Sequence, residues 1–160
     1  MSNQWENQVQ KVSKVVENVY AGSKLSRVQR QNYIEKLEQN SCWSALIHLL
    51  SEIIESSQNE TELLEAYRLW ARVTFVDLGD LSGCVDIYCQ MVVKLKLSFS
   101  GFIESLTQEK CFKEDYEAQA TILEKVYLAF TRKPDKIKAL ERLCLILKKR
   151  VHKNLKLQFY

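Results

Sequence analysis

Five cysteines (Cys42, Cys84, Cys89, Cys111, Cys144) and two histidines (His48, His152) are the residues of this 160-residue chain best suited to hold a metal or attack a substrate. Their spacing argues against both. No C-x-x-C occurs, and Cys84 and Cys89, five apart, fall on different faces of a helix. His48 follows Ile47 in an apolar run, and His152 stands in a basic tail. Neither has a nucleophile at a fixed short spacing. There is no Gly-rich phosphate loop, and the acids are spread with no pair set apart by its surroundings. The chain therefore reads as a non-enzyme, with no catalytic residue, no metal and no cofactor.

The chemistry that remains is recognition. Arg68 and Arg72 are four apart, so one helix presents both guanidinium groups on one side, where they can clamp a carboxylate. Tyr67 and Trp70 share that helix and are read either as groove-lining aromatics or as core. Tyr33 and Lys36 stand on an earlier helix. For the basic members the alternative is a solvated face.

A second feature is charge. From Arg132 to Lys156 there are ten Lys/Arg against two acids, a net +8, while residues 1–131 carry thirteen basic and eighteen acidic residues, a net −5. Lys148, Lys149, Arg150 and Lys153 are the densest part. They suit a solvated capping helix, an acidic partner, or an anionic surface such as nucleic acid or lipid bound by charge alone. Leu155, Leu157, Phe159 and Tyr160 then make an apolar tail, which either folds back or mediates self-association.

The elements that must position these residues are helices. Hydrophobic residues make up 46% and charged residues 27%, and only 4 Gly and 1 Pro interrupt the chain, too few breakers for the turns of an all-β fold. Eight stretches read as helices, seven of them with apolar residues at spacings of three and four and the one near 101–112 less regular. These lie near 3–20 (Val9, Val12, Val16, Val19), 26–39 (Val28, Ile34, Leu37), 43–55, a helix ending at Gly79, 81–95, 101–112, 115–131 and 134–153. In the last, Ile137, Leu140, Leu143, Cys144 and Leu147 form the expected apolar face. No linker separates them, so residues 1–160 read as one domain. No apolar run approaches the ~18 residues of a membrane span. The N-terminus lacks a secretory pattern, which implies a cytoplasmic, reducing location and free thiols.

The stretch 67–95 carries more than periodicity. Phe75 precedes Gly79-Asp80-Leu81, and Cys84, Tyr88 and Met91 follow at fixed steps. This resembles a tetratricopeptide unit, a helix–turn–helix repeat of about 34 residues. Arg72, Met91 and the lack of a closing Pro depart from that pattern. The frame also fits Leu37, Trp43, Leu46, Leu50 and Ile53. It fits again at Phe130, Pro134-Asp135, Lys136, Ala139, Leu143 and Ile146. Trp43, Leu81 and Lys136 are then equivalent, 38 and 55 residues apart, with an insertion near 97–114. "W-x-x-L-I-x-L-L" helices alternating with "L-G-D" turns are also similar to long-loop arrays of bacterial scaffold proteins. The resemblance covers residues 33–95 and, more sparsely, 116–150. It implies helix hairpins stacked as a short TPR-like α-solenoid, the alternative being an irregular helical bundle. It also implies a protein–protein interaction module (adaptor, scaffold or chaperone-like holder) that binds a partner protein or peptide segment. The partner would lie in a groove lined by Tyr33, Lys36, Tyr67, Arg68, Trp70 and Arg72. The alternative function is binding of nucleic acid or an anionic surface through the basic last helix.

Overall fold

The computed structural model describes residues 2–159, and every regular element among them is helical. In chain order these are α1 (Ser2–Tyr20), α2 (Arg27–Gln39), α3 (Trp43–Ser56), α4 (Glu60–Arg72), α5 (Leu81–Leu95), α6 (Phe99–Gln108), α7 (Lys110–Lys113), α8 (Tyr116–Val126) and α9 (Lys133–Gln158). A π-helical turn, Val73–Asp77, continues α4, and a 3-10 turn, Tyr127–Ala129, follows α8. The chain is all-α, as its breaker-poor, three-and-four periodic sequence requires. Its internal contacts divide it into two compact units, one ending at Ala66 and one beginning at Tyr67.

In the first unit α1, α2 and α3 pack pairwise on one another. Val15 and Val19 of α1, Leu37 of α2, and Leu46, Leu49, Leu50 and Ile53 of α3 fill the interior. The α1 stripe is narrower than its valines suggest. Val9 is exposed, and Val15 takes a core place instead. Val28, expected on the inner face of α2, is also exposed, and that helix buries Leu37. Polar contacts fix the helix ends. Ser26 and Gln29 form a reciprocal capping box at the start of α2. Arg30 donates through Nε to Glu62 Oε1 at 2.6 Å and through Nη1 to the Leu25 carbonyl at 2.7 Å. Ser57 Oγ donates to the other Glu62 oxygen at 2.7 Å. Asn59 caps α4 by accepting from the Glu62 N–H at 3.0 Å.

The second unit is built round α8, which packs on both α5 and α9. The Gly79-Asp80 turn feeds α5. Gly79 has φ +64°, a left-handed conformation that glycine adopts without a Cβ penalty. Asp80 Oδ1 accepts from the Gly83 N–H at 2.8 Å. A Cβ on Gly83 would stand 2.4 Å from the other Asp80 oxygen, so a larger residue there would make the Asp80 carboxylate shift. Cys84, Tyr88 and Met91 of α5 are fully buried. Aromatic rings run through the interior from Phe75 to Phe112, Tyr88, Phe102 and Phe130, with successive centroids 5.0–5.8 Å apart. Buried Gln119 of α8 donates through Nε2 to the carbonyls of Phe112 and Lys113, which holds the end of α7.

Candidate functional site

The six residues expected to line a groove have different fates. Tyr33 and Lys36 lie on α2 in the first unit. Tyr33 is half-buried, its hydroxyl accepting from Asn18 Nδ2 at 2.9 Å, and Lys36 is exposed. Tyr67, Arg68, Trp70 and Arg72 lie on α4 in the second unit. Tyr67 is 2% exposed and belongs to the core. Arg68 is committed to an ion pair, Nη2 standing 2.8 Å from Glu109 Oε1 with both side chains largely covered. Trp70 and Arg72 are half-buried. Of this set Lys36 alone is fully open, because α4 spends its Tyr67 and Arg68 face on its own interior.

Four of the five thiols are wholly or partly covered as well. Cys84 is buried, and burial, with lesser help from Cys111 and Asp80, pushes its thiol up to about 12, so it stays protonated. Burial likewise raises Cys89 and Cys111. The Tyr88 hydroxyl is raised, first by burial, and makes no hydrogen bond with the described residues. Among the described residues no group of three His, Cys, Asp or Glu comes together in a way that suits a metal ion. No helix among them is long and apolar enough to cross a membrane.

The element that faces outward with organised chemistry is α9. Pro134 sits in its first turn, where the missing N–H has no helical partner to lose. Asp135 anchors that end. Its carboxylate is 5% exposed and accepts from the Phe99 N–H at 3.0 Å and from Arg132 Nε at 2.9 Å. The Phe99 bond, then the Arg132 contact, hold this carboxyl below the usual range against the opposing effect of burial. From there α9 runs unbroken to Gln158, so the apolar tail expected after residue 153 is the last turn of the same helix. Tyr160 lies outside the described residues.

Two faces of α9 compete for the core, and the less apolar one occupies it. Ala139 and Ile146 are buried, with Lys136, Arg142 and Leu143 half-buried beside them. Ile137, Leu140, Cys144 and Leu147, the face expected to pack inward, are exposed apart from their neighbour Leu143. Ala139 suits that choice, and the buried Asp135 anchor lies on the same side of the helix. With no side chain beyond Cβ, Ala139 lets α9 come close to α8, which offers Ala118, Ile122, Leu123 and Val126. The outward residues continue the row with Val151 and Leu155, at spacings of 3, 4, 3, 4 and 4. At about 100° per residue this stripe is centred roughly 140° round the helix from the packed face.

The basic residues do not form one patch. Lys149, Arg150 and Lys153 turn toward the start of α8 and share a groove of about 700 Å³ with Glu114, Asp115 and Glu117. Arg150 Nη2 is 2.8 Å from Glu117 Oε1, and Lys149 Nζ stands 5.2 Å from the Tyr116 ring centre. Lys148, one residue round the helix, flanks the apolar stripe instead. Sequence reasoning found the stripe residues but assigned them inward. The cue was present, since the repeat frame selects Ala139, Leu143 and Ile146 as the packed set. Comparison with protein-family models, with curated proteins and with solved structures finds no match for this chain.

Proposed function

We propose that this chain is a non-enzymatic protein–protein interaction module, an adaptor, scaffold or holder, whose binding surface is the outward face of α9 and whose ligand is a helix of another polypeptide. One observation carries this reading. The helix has a second apolar stripe, Ile137, Leu140, Cys144, Leu147, Val151 and Leu155, open to water while its opposite face is already packed. A stripe at spacings of three and four is what one helix offers another in knobs-into-holes packing. The TPR-like frame is part of the same proposal. It is supported by burial of Leu46, Leu50 and Ile53 in α3, Cys84, Tyr88 and Met91 in α5, and Ala139 and Ile146 in α9, while Trp43, Leu81, Lys136 and Leu143 of the same frame are half-buried. The binding surface moves from the α2 and α4 residues to α9 because Tyr67 and Arg68 are spent internally.

Binding of nucleic acid or an anionic surface has less support. Three of the four basic side chains share their groove with three carboxylates, which offset the charge that counterion release would need.

The test is site-specific photocrosslinking of the full chain in its source cells. A photoreactive residue at Leu147 is expected to give a discrete adduct, while the same group at exposed Lys138, away from the stripe, gives none. Equal labelling from both positions, or none from Leu147, refutes the reading.

A further inference from the structure

We propose that the helix received by the outward face of α9 is α9 of a second copy, laid antiparallel. This rests on the reading of that face as a binding surface, and it names the occupant.

The argument is one of register. Ile137, Leu140, Cys144, Leu147, Val151 and Asn154 follow at intervals of 3, 4, 3, 4 and 3, a pattern that reads the same in both directions. A reversed copy then sets Ile137 opposite Asn154 of its partner, Leu140 opposite Val151, and Cys144 opposite Leu147. Each contact occurs twice, as a two-fold interface requires. Leu155 lies next to Asn154 and covers Ile137 of the other copy. All six partners except Asn154 are apolar, and Asn154 stands at the outer end of the seam, where water reaches its amide.

Charge selects the same arrangement. The residues flanking the seam include Glu141 and Lys148, both exposed. In the antiparallel register Glu141 of each copy falls beside Lys148 of the other, two opposite-charge pairs per dimer. The parallel register would set Glu141 beside Lys136 of the other copy but would lay the two basic ends side by side, with Lys148 of each flanking the seam and Lys149, Arg150 and Lys153 leaning toward α8. Antiparallel packing separates those ends by the length of the helix and lays each near the half that holds Glu141; that half also carries Lys133, Lys136, Lys138 and Arg142, so the gain beyond the Glu141–Lys148 pairs is one of distance between the basic ends. A foreign acidic helix would satisfy the lysines but would leave Glu141, in the middle of the stripe, against like charge.

The seam from Ile137 to Asn154 is about 26 Å long at 1.5 Å per residue, short for a helix pair, so a dissociation constant on the order of 10 μM is expected. The experiment is sedimentation equilibrium of the full chain across this range, with helicity checked by circular dichroism. Leu147→Glu is expected to weaken dimerisation by at least about a hundredfold with helicity unchanged, because Leu147 is 36% exposed in the monomer and a longer charged side chain can reach water from there. Glu141→Lys and Lys148→Glu each place like charges together twice and should weaken it by about tenfold, while the double swap restores it. In a parallel pair the double swap would not restore it, since Glu141→Lys would then set a second positive charge against Lys136 of the other copy. Failure of the double swap therefore overturns the antiparallel register. A chain that stays monomeric to about 1 mM, a hundred times the expected constant, overturns the dimer. The crosslink at Leu147 separates this from failure of the parent reading. An adduct of twice the chain mass supports the dimer. An adduct of another mass overturns it but leaves the binding face standing, and the absence of any adduct removes both.

Discussion

Replacing Asp135 should loosen α9 from the body of the second unit, and the structure sets how much. The carboxylate accepts from the Phe99 N–H at 3.0 Å and from Arg132 at 2.9 Å, and is itself 5% exposed. In Asp135→Ala the Phe99 N–H loses its charged acceptor at a part-buried site, which costs about 1–3 kcal/mol. Arg132 is 69% exposed, so its share of the pair adds only about 0–1 kcal/mol. Asp135→Asn keeps a carbonyl oxygen for the Phe99 N–H and should lose about 1 kcal/mol or less. The pH dependence carries a sign. The folded-state pKa is lowered from 3.8, so the stabilisation is complete above that value and is lost as pH falls through the lower, folded one. Wild type and Asp135→Asn should therefore differ at pH 7 and converge toward pH 2. Urea unfolding at both pH values measures this. Equal loss in the Ala and Asn variants, or a gap that widens in acid, would refute the acceptor argument.

The two faces of α9 should differ sharply in stability. Ile146→Ala removes a fully buried side chain and should cost about 2–5 kcal/mol, whereas Leu140→Ser on the outward face, where Leu140 is 41% exposed, should cost the monomer only about 1 kcal/mol. Denaturant midpoints at a protein concentration well below any self-association read this directly, and a reversed order would place the core on the other face. Thiol labelling gives an independent check. Cys144 should react with a disulfide reagent within the native state, and Cys84, buried and raised to about 12, only on unfolding. If the dimer forms, Cys144 labelling slows as protein concentration rises through the dissociation constant.

How much of this was legible depended on whether a signal was local. Helix positions were, because apolar spacing and scarce Gly and Pro act within a few residues. The turn at Gly79-Asp80 was too, since Gly79 needs positive φ and Asp80 is a cap, both properties of the residues themselves. The π-helical turn at Val73–Asp77 and the break of the sixth stretch into α6 and α7 left no comparable mark. Nor did the Arg68–Glu109 pair, whose partners are 41 residues apart in sequence. Tyr67 was ambiguous for the same reason. An aromatic residue reads alike whether it lines a groove or fills a core.

By itself, then, the sequence determined that the chain is all-helical, roughly where each helix starts and stops, and that α9 carries apolar residues in two directions with a basic end. Only the tertiary structure decided which direction is inside. Hydrophobicity measures how much a face gains from leaving water, and by that measure Ile137, Leu140, Cys144 and Leu147 outrank the other side. Close packing depends also on shape. Ala139, flanked by Leu143 and Ile146, admits α8 where a row of large side chains would hold it off, and that steric fit, with the buried Asp135 anchor on the same side, goes with the more apolar stripe facing water.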